Sequence, residues 1–160
     1  MRAFLVLITL SFASLVHGQS NTKAFPKVLA FPPYDITANE GISPDILDYI
    51  ETSLAESDSI ELIPFPLKKL MNVSYQQVFD KKYCKPVLEK VESDYIIMSK
   101  IDLINRTGKM STDTWKFEIK LFDVEANTQK TILKNCCLKP AEIKAFILEN
   151  IEVIENQIKQ

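Results

Sequence analysis

The sequence has one histidine, His17, and it lies inside a stretch typical of a removable leader. Once that leader is cleaved, no imidazole remains in the chain. Ser-His-Asp triads, Cys-His nucleophile pairs and every histidine metal site are then excluded. We therefore expect a protein that is not an enzyme, with no catalytic residue, no cofactor-binding residue and no metal ligand.

Glycine is also scarce, because only Gly41 and Gly108 lie beyond residue 18. A glycine-rich loop that cradles phosphate is therefore excluded. Charges of both signs are interspersed along the chain, and the formal net charge is −2. This pattern lacks the basic footprint of a nucleic-acid-binding protein and the polybasic patch of a membrane-surface protein.

The first 18 residues predict a cleaved secretory signal. Met1-Arg2 is followed by an apolar run over residues 3–10, and small residues precede Gln19. An uncleaved anchor is the alternative, but the run is shorter than the roughly 20 residues that a membrane span needs. We expect export to the periplasm or beyond the cell, no stable membrane insertion after cleavage, a disordered start at 19–26 and one domain over 27–160.

The rest of the chain is organised around residues 94–104. Tyr95, Ile96, Ile97 and Met98 form a continuous apolar run, which is typical of a strand covered on both faces. From Ile97 onward, polar side chains alternate with apolar ones, so one face becomes mixed. The pattern predicts a central strand that extends beyond its helical cover.

The remaining segments predict an α/β (α+β) fold of two layers. Its order is β-α-β-α-β-β-β-α, in which the first three strands are parallel through right-handed crossovers and the last three form an antiparallel meander. Helices are expected on one face of a five-stranded mixed sheet. Pro64 indicates either an edge position or a strand end for the second strand. The strands are predicted at 27–31, 60–65, 94–104, 114–124 and 129–135, and the main helices begin at Ser43, Tyr83 and Pro140.

Several of these segments resemble a known family. They are the strand 28–31, the helix from Gly41 to Leu54, the strand 60–63 with the turn to Met71, the stretch 88–101 and the hairpin strand 117–124. Together they are similar to the amino-terminal domain of the translocation protein TolB and its envelope relatives, including CsgG and the flagellar outer-membrane accessory proteins.

The resemblance covers roughly residues 27–135 and rests on patterns of burial. It departs from the family at three glycine positions, which here hold Glu92 or Ser93, Ser99 and Asn127. The resemblance implies an accessory protein of the bacterial envelope that acts through contacts with another, unidentified envelope protein. No catalytic set is carried over. A periplasmic module for a small molecule or a glycan, with a pocket between Pro32-Pro33 and the helix from Ser43, is the alternative.

Three cysteines are candidates for a disulfide: Cys84, Cys136 and Cys137. In an exported protein they enter an oxidising compartment. The predicted topology puts Cys84 and the Cys136–Cys137 pair at the same end of the sheet, which predicts a bridge from Cys84 to one of the pair. Three separate buried thiols are the alternative. If the bridge forms, the third cysteine stays odd and is either free or cross-links a dimer.

Charged side chains mark one face of the strand at 114–124. Lys116, Glu118 and Lys120 alternate with apolar residues, and this face is either solvated or a surface for a partner protein. Asp94, Asp102 and Asp123 fit strand ends and turns better than a calcium site, because no loop has the dense Asp/Asn spacing that calcium requires.

Overall fold

A computed structural model describes residues 24–36 and 42–159, with the side chains of residues 42–44 and 110 left aside. The predicted leader at 1–18, most of the predicted disordered start and the loop at 37–41 lie outside these residues. In the described part of the chain, no helix is both long and apolar enough to cross a membrane.

Six strands form one mixed sheet, in the order β3-β1-β4-β5-β6, with the short β2 paired to β4. The strands are β1 (Lys27–Ala30), β2 (Tyr34–Asp35), β3 (Glu61–Ile63), β4 (Tyr95–Asn105), β5 (Thr114–Asp123) and β6 (Thr128–Leu138). The helices are α1 (Ile42–Ala55), α2 (Leu67–Leu70), α3 (Tyr75–Phe79), α4 (Cys84–Leu88), α5 (Pro140–Glu149) and α6 (Ile151–Ile158).

The predicted fold class is confirmed, and β4 is the central strand. It pairs with β1 and β2 in parallel and with β5 in antiparallel. Ile96, Ile97 and Met98 are at most 1% exposed, whereas Ile104 near the end of the strand is 49% exposed. The strand thus begins inside the protein and ends at its surface, as the sequence pattern indicates.

The main core lies between one face of the sheet and the helices α1, α5 and α6. Ile46, Ile50 and Leu54 recur every four residues on α1 and are fully buried, because this spacing aligns them on one side of a helix. They meet the apolar side of β5, where Trp115 and Phe117 belong to the same cluster.

The prediction of helices on one face needs a correction. The short helices α2, α3 and α4 lie on the opposite face and form a second, smaller core. Leu70, Phe79 and Val87 pack there against the sheet residues Leu29 and Ile96. The second main helix, expected to begin at Tyr83, is α4 and is only five residues long. The segment between β3 and α4 contains α2 and α3.

The last helix is interrupted at Asn150. This residue has φ −113° and ψ 10°, outside the helical region, and its Nδ2 donates to the Phe146 carbonyl at 2.8 Å. A side chain that bonds to the preceding turn competes with the backbone ladder. The break redirects α6, and Ile154 and Ile158 on it join the main core.

Candidate functional site

The second face of the sheet is covered along only part of its length. In the described residues, α2–α4 pack over the first residues of β4, and the buried cluster beneath them includes no residue of β4 beyond Met98. The Nζ of the next residue on this face, Lys100, lies 5.8 Å from the centroid of the Phe79 ring on α3. We define the open face as Lys100, Asp102, Lys116, Glu118 and Lys134. Lys134 is exposed and the other four are partly exposed.

The strand register arranges these charges in rows. Lys100 on β4 lies opposite Glu118 on β5, and Glu118 lies opposite Lys134 on β6. In the next row, Asp102 lies opposite Lys116. Opposite charges in directly facing positions attract. The Nζ of Lys100 also lies 6.0 Å from the centroid of the Tyr34 ring, so this cation contacts the protein as well as the open face. With three lysines and two acids, the open face has a net positive charge.

Two of the predicted partner-face residues belong to the open face, and the third marks its boundary. The Nζ of Lys120 lies 3.9 Å from the centroid of the Phe79 ring and donates to the Phe79 carbonyl at 3.3 Å. Its cation is thus used within the protein to attach α3 to the sheet. Glu118 is more accessible, although its Oε1 accepts from the Thr131 hydroxyl at 3.0 Å.

The structure places the predicted disulfide partners at opposite ends of the sheet. Cys84 lies beside Phe122 and Asn127, whereas Cys136 and Cys137 face the start of β5. Along β6 these positions are separated by roughly 20 Å at 3.3 Å per residue. The predicted bridge from Cys84 is therefore wrong, because α2 and α3 carry the chain back across the sheet before α4 begins.

The three cysteines are free thiols with contrasting surroundings. Cys84 is 3% exposed, and burial raises its pKa to about 11. Cys136 and Cys137 are exposed, and their sulfurs lie 2.9 Å apart. The hydrogen bond between these sulfurs is the main reason why the pKa of Cys137 is raised.

The carboxylates considered for calcium serve the backbone instead. Asp94 accepts from the Lys27 amide at 2.7 Å and thereby ties β1 to the start of β4. Asp123 accepts from the Ala126 amide at 2.9 Å within the β5–β6 turn. Asp102 belongs to the open face. Among residues 24–36 and 42–159, no cluster of three or more histidine, cysteine or acidic side chains fits a metal ion.

The structure has a cavity away from the place where the sequence predicts a pocket. The predicted pocket, between Pro32-Pro33 and the helix from Ser43, includes residues 37–41, which lie outside the described part. A cavity of about 640 Å³ opens instead at the start of β4, where Phe25, Tyr95, Glu125 and Lys159 line it. Burial is the main cause that raises the pKa of Tyr95, followed by the charge of Asp123. The cavity combines an aromatic wall with several acids.

Sequence reasoning missed Lys100, Lys134 and the pairing of the two thiols. Lys100 lies two residues after the apolar run, within the predicted alternation of polar and apolar side chains, so the sequence did indicate its position. No pattern in the sequence indicated the thiol pair, because nothing there predicts the bulge in β6 that brings the two sulfurs together.

Solved structures that align with this chain come from several bacteria. A PelC dodecamer from Paraburkholderia phytofirmans aligns with 81% of this chain and 87% of its own, at 11% identity and a TM-score of 0.51. Lipoprotein GNA1162 from Neisseria meningitidis aligns over 84% and 97%, at 12% identity and a TM-score of 0.49. TolB from Acinetobacter baumannii aligns over 83% of this chain and 29% of its own, at 13% identity and a TM-score of 0.47.

No family model matches the sequence, and no curated protein does. At identities this low, the structural likeness concerns the fold alone. The arrangement of the open face therefore remains the guide to function.

Proposed function

We propose that this protein is a non-enzymatic accessory protein of the bacterial envelope, which binds a partner protein through the open face. The proposal rests on one observation, which is that helices cover the two faces of the sheet to different extents. In the part of the chain that the structure describes, one face is filled by three helices, while half of the other presents ordered charges on a rigid base.

The charge pattern specifies the partner's chemistry. Lys116 and Lys134 present two cations at fixed register positions, and Lys100, on the other side of Glu118, adds a third beside the Tyr34 and Phe79 rings. A protein surface that carries acidic side chains opposite these lysines is complementary to the open face, and such complementarity mainly determines specificity and association rate. Positions on β4 and β5 are suited to this role because a neighbouring strand holds their backbone on each side.

The envelope location is supported by two observations from the sequence. The amino-terminal residues are typical of a secretory signal. The resemblance to the TolB amino-terminal domain implies an envelope protein.

A charge swap tests the proposal without changing the net charge. The double variant Lys116→Glu, Glu118→Lys reverses the open-face pattern. Exchange of the exposed neighbours Glu89→Lys and Lys90→Glu, at the other end of the sheet, is the matched control. We expect tagged wild-type protein and the control to recover the same partner from envelope extracts of the native host, and the open-face variant to lose at least ten-fold. Equal recovery by all three proteins would overturn the assignment of the open face.

A small-molecule-binding function is the second candidate, and the cavity of about 640 Å³ favours it. Ligand sites are usually cavities of this size with a few convergent polar groups. A thermal-shift screen with metabolites and short glycans tests this function. A specific shift that Tyr95→Ala abolishes, together with no recovered partner, would favour this candidate over the first.

A further inference from the structure

Cys136 and Cys137 occupy a bulge in β6, near the end of the open face. Trp115 pairs with Leu138 and Phe117 pairs with Asn135, so the two cysteines together oppose the single residue Lys116. In a regular strand, neighbouring side chains point to opposite faces. An extra residue removes that alternation locally and re-aims the side chains.

The register indicates which face the thiols occupy. Trp115 and Phe117 belong to the main core, and Leu138 packs against that core. Since Asn135 and Leu138 pair with these residues, both lie on the helix-covered face, and the two residues between them fall on the other side. Cys137 adopts a φ of +64°, which completes the change of direction. Both thiols therefore extend the open face.

The distance between the two sulfurs, 2.9 Å, is short for thiols that are not bonded to each other. A disulfide bond is about 2.05 Å long, so closing one here requires a movement of less than roughly 1 Å. Both side chains are exposed, and the Asn135 side chain fixes the backbone by accepting from the Cys136 amide at 2.7 Å. Cys84 is buried at the far end of the sheet and does not compete.

A metal ion fits the pair poorly. Structural zinc takes four ligands at about 2.3 Å from sulfur, and the described residues offer no third ligand of the histidine, cysteine or acidic type. Two sulfurs 2.9 Å apart would subtend an angle of roughly 80° at such an ion, well below the tetrahedral value. Disulfide chemistry needs no further ligand.

We propose that Cys136 and Cys137 form a thiol–disulfide exchange site that reacts with small anionic disulfides and cycles between a dithiol and a vicinal disulfide. Lys116, directly opposite the bulge, and Lys134 favour an anionic reagent. The proposal is independent of the partner-binding function, although both use the same face of the sheet.

The reaction balances without any other reagent. The thiolate of one cysteine attacks the external disulfide, forms a mixed disulfide and releases the first small thiolate. The second cysteine, after losing its proton, attacks the sulfur of the first, forms the Cys136–Cys137 bond and releases the second small thiolate. The protein loses two electrons and two protons, which convert the external disulfide into two thiols.

Intact mass spectrometry with glutathione disulfide tests the proposal on the whole chain. We expect the wild-type protein to lose the mass of two hydrogens and to return to its starting mass with excess reduced glutathione. The bond should map to the tryptic peptide 135–144, which contains both cysteines and excludes Cys84. Cys84→Ser is the matched control and should behave as the wild type does.

The single variants Cys136→Ser and Cys137→Ser lack the second thiol. Each should stop at the mixed disulfide and accumulate the glutathione adduct, which the wild type resolves. Three outcomes would overturn the proposal: a stable glutathione adduct on the wild type, a disulfide-linked dimer as the main product, or no reaction at the 135–144 peptide.

Discussion

The two faces of the sheet carry different kinds of surface. One face meets three helices, and its side chains are apolar along nearly the whole of β5. The other meets three short helices over the first half of β4 and then becomes charged. Because β5 contributes to both faces through simple alternation, one strand supplies core residues such as Phe117 and open-face residues such as Glu118. Stability therefore depends mainly on the face that α1, α5 and α6 cover, which leaves part of the opposite face available for binding.

The largest expected effect comes from the helix-covered face. Phe117 is fully buried, and its ring meets that of Phe146 with centroids 6.2 Å apart. Phe117→Ala should lower the free energy of unfolding by about 3–5 kcal/mol, because a large cavity replaces the ring. Urea unfolding followed by circular dichroism measures this change. A loss below about 1 kcal/mol would contradict the assignment of the main core.

The smaller core can be tested through Cys84. Its thiol keeps its proton up to about pH 11 in the folded protein, whereas the unfolded thiol ionises near pH 9. The unfolded state therefore loses a proton first, and stability falls as pH rises between these values.

We expect wild-type stability to fall more steeply than that of Cys84→Ala between pH 9 and 11, with parallel curves below pH 8. Urea unfolding at a series of pH values measures both slopes. Parallel curves throughout would mean that Cys84 is not buried as described.

The boundary between the two halves of the second face depends on Lys120. Lys120→Met keeps most of the side-chain stem but removes the cation that lies over Phe79, and it should cost about 1 kcal/mol. Lys116→Met is the matched control on the open face and should change stability by less than about 0.5 kcal/mol. Equal effects would mean that α3 does not depend on this contact.

The open-face charge swap should also have a small effect on stability. Lys116→Glu with Glu118→Lys places like charges in facing positions, against Asp102 in one row and against Lys100 and Lys134 in the other. Because these side chains are exposed or partly exposed, the free energy of unfolding measured in urea should fall by no more than about 1 kcal/mol. A large loss of stability would show that these residues hold the fold together, and that the open face is structural.

The sequence alone predicted that β4 is central, that β3 lies at an edge and that one side of β5 is charged. Each of these features depends on local alternation or on proline. The edge position of β3 follows from Pro64, which cannot donate to a ladder. The left-handed turn at Asn127 was also accessible, since asparagine tolerates positive φ, and its φ is +51°.

Three features could not be predicted from local pattern. The second helical layer depends on where α2 and α3 lead the chain, and short helices have weak periodicity. The break at Asn150 depends on one side-chain hydrogen bond within an otherwise regular stripe. The bulge at Cys136 and Cys137 depends on pairing with β5. The predicted bridge from Cys84 was wrong because α2 and α3 carry the chain back across the sheet before α4 begins.

Site-specific photo-crosslinking in the native host tests the central claim most directly. A crosslinking amino acid at position 118 samples the open face, and one at position 152 samples the exposed side of α6 on the helix-covered face. Our account predicts one discrete crosslinked partner from position 118 that the charge variant Lys116→Glu weakens, and none from position 152. Crosslinking from position 152 alone, or with equal strength from both positions, would contradict it.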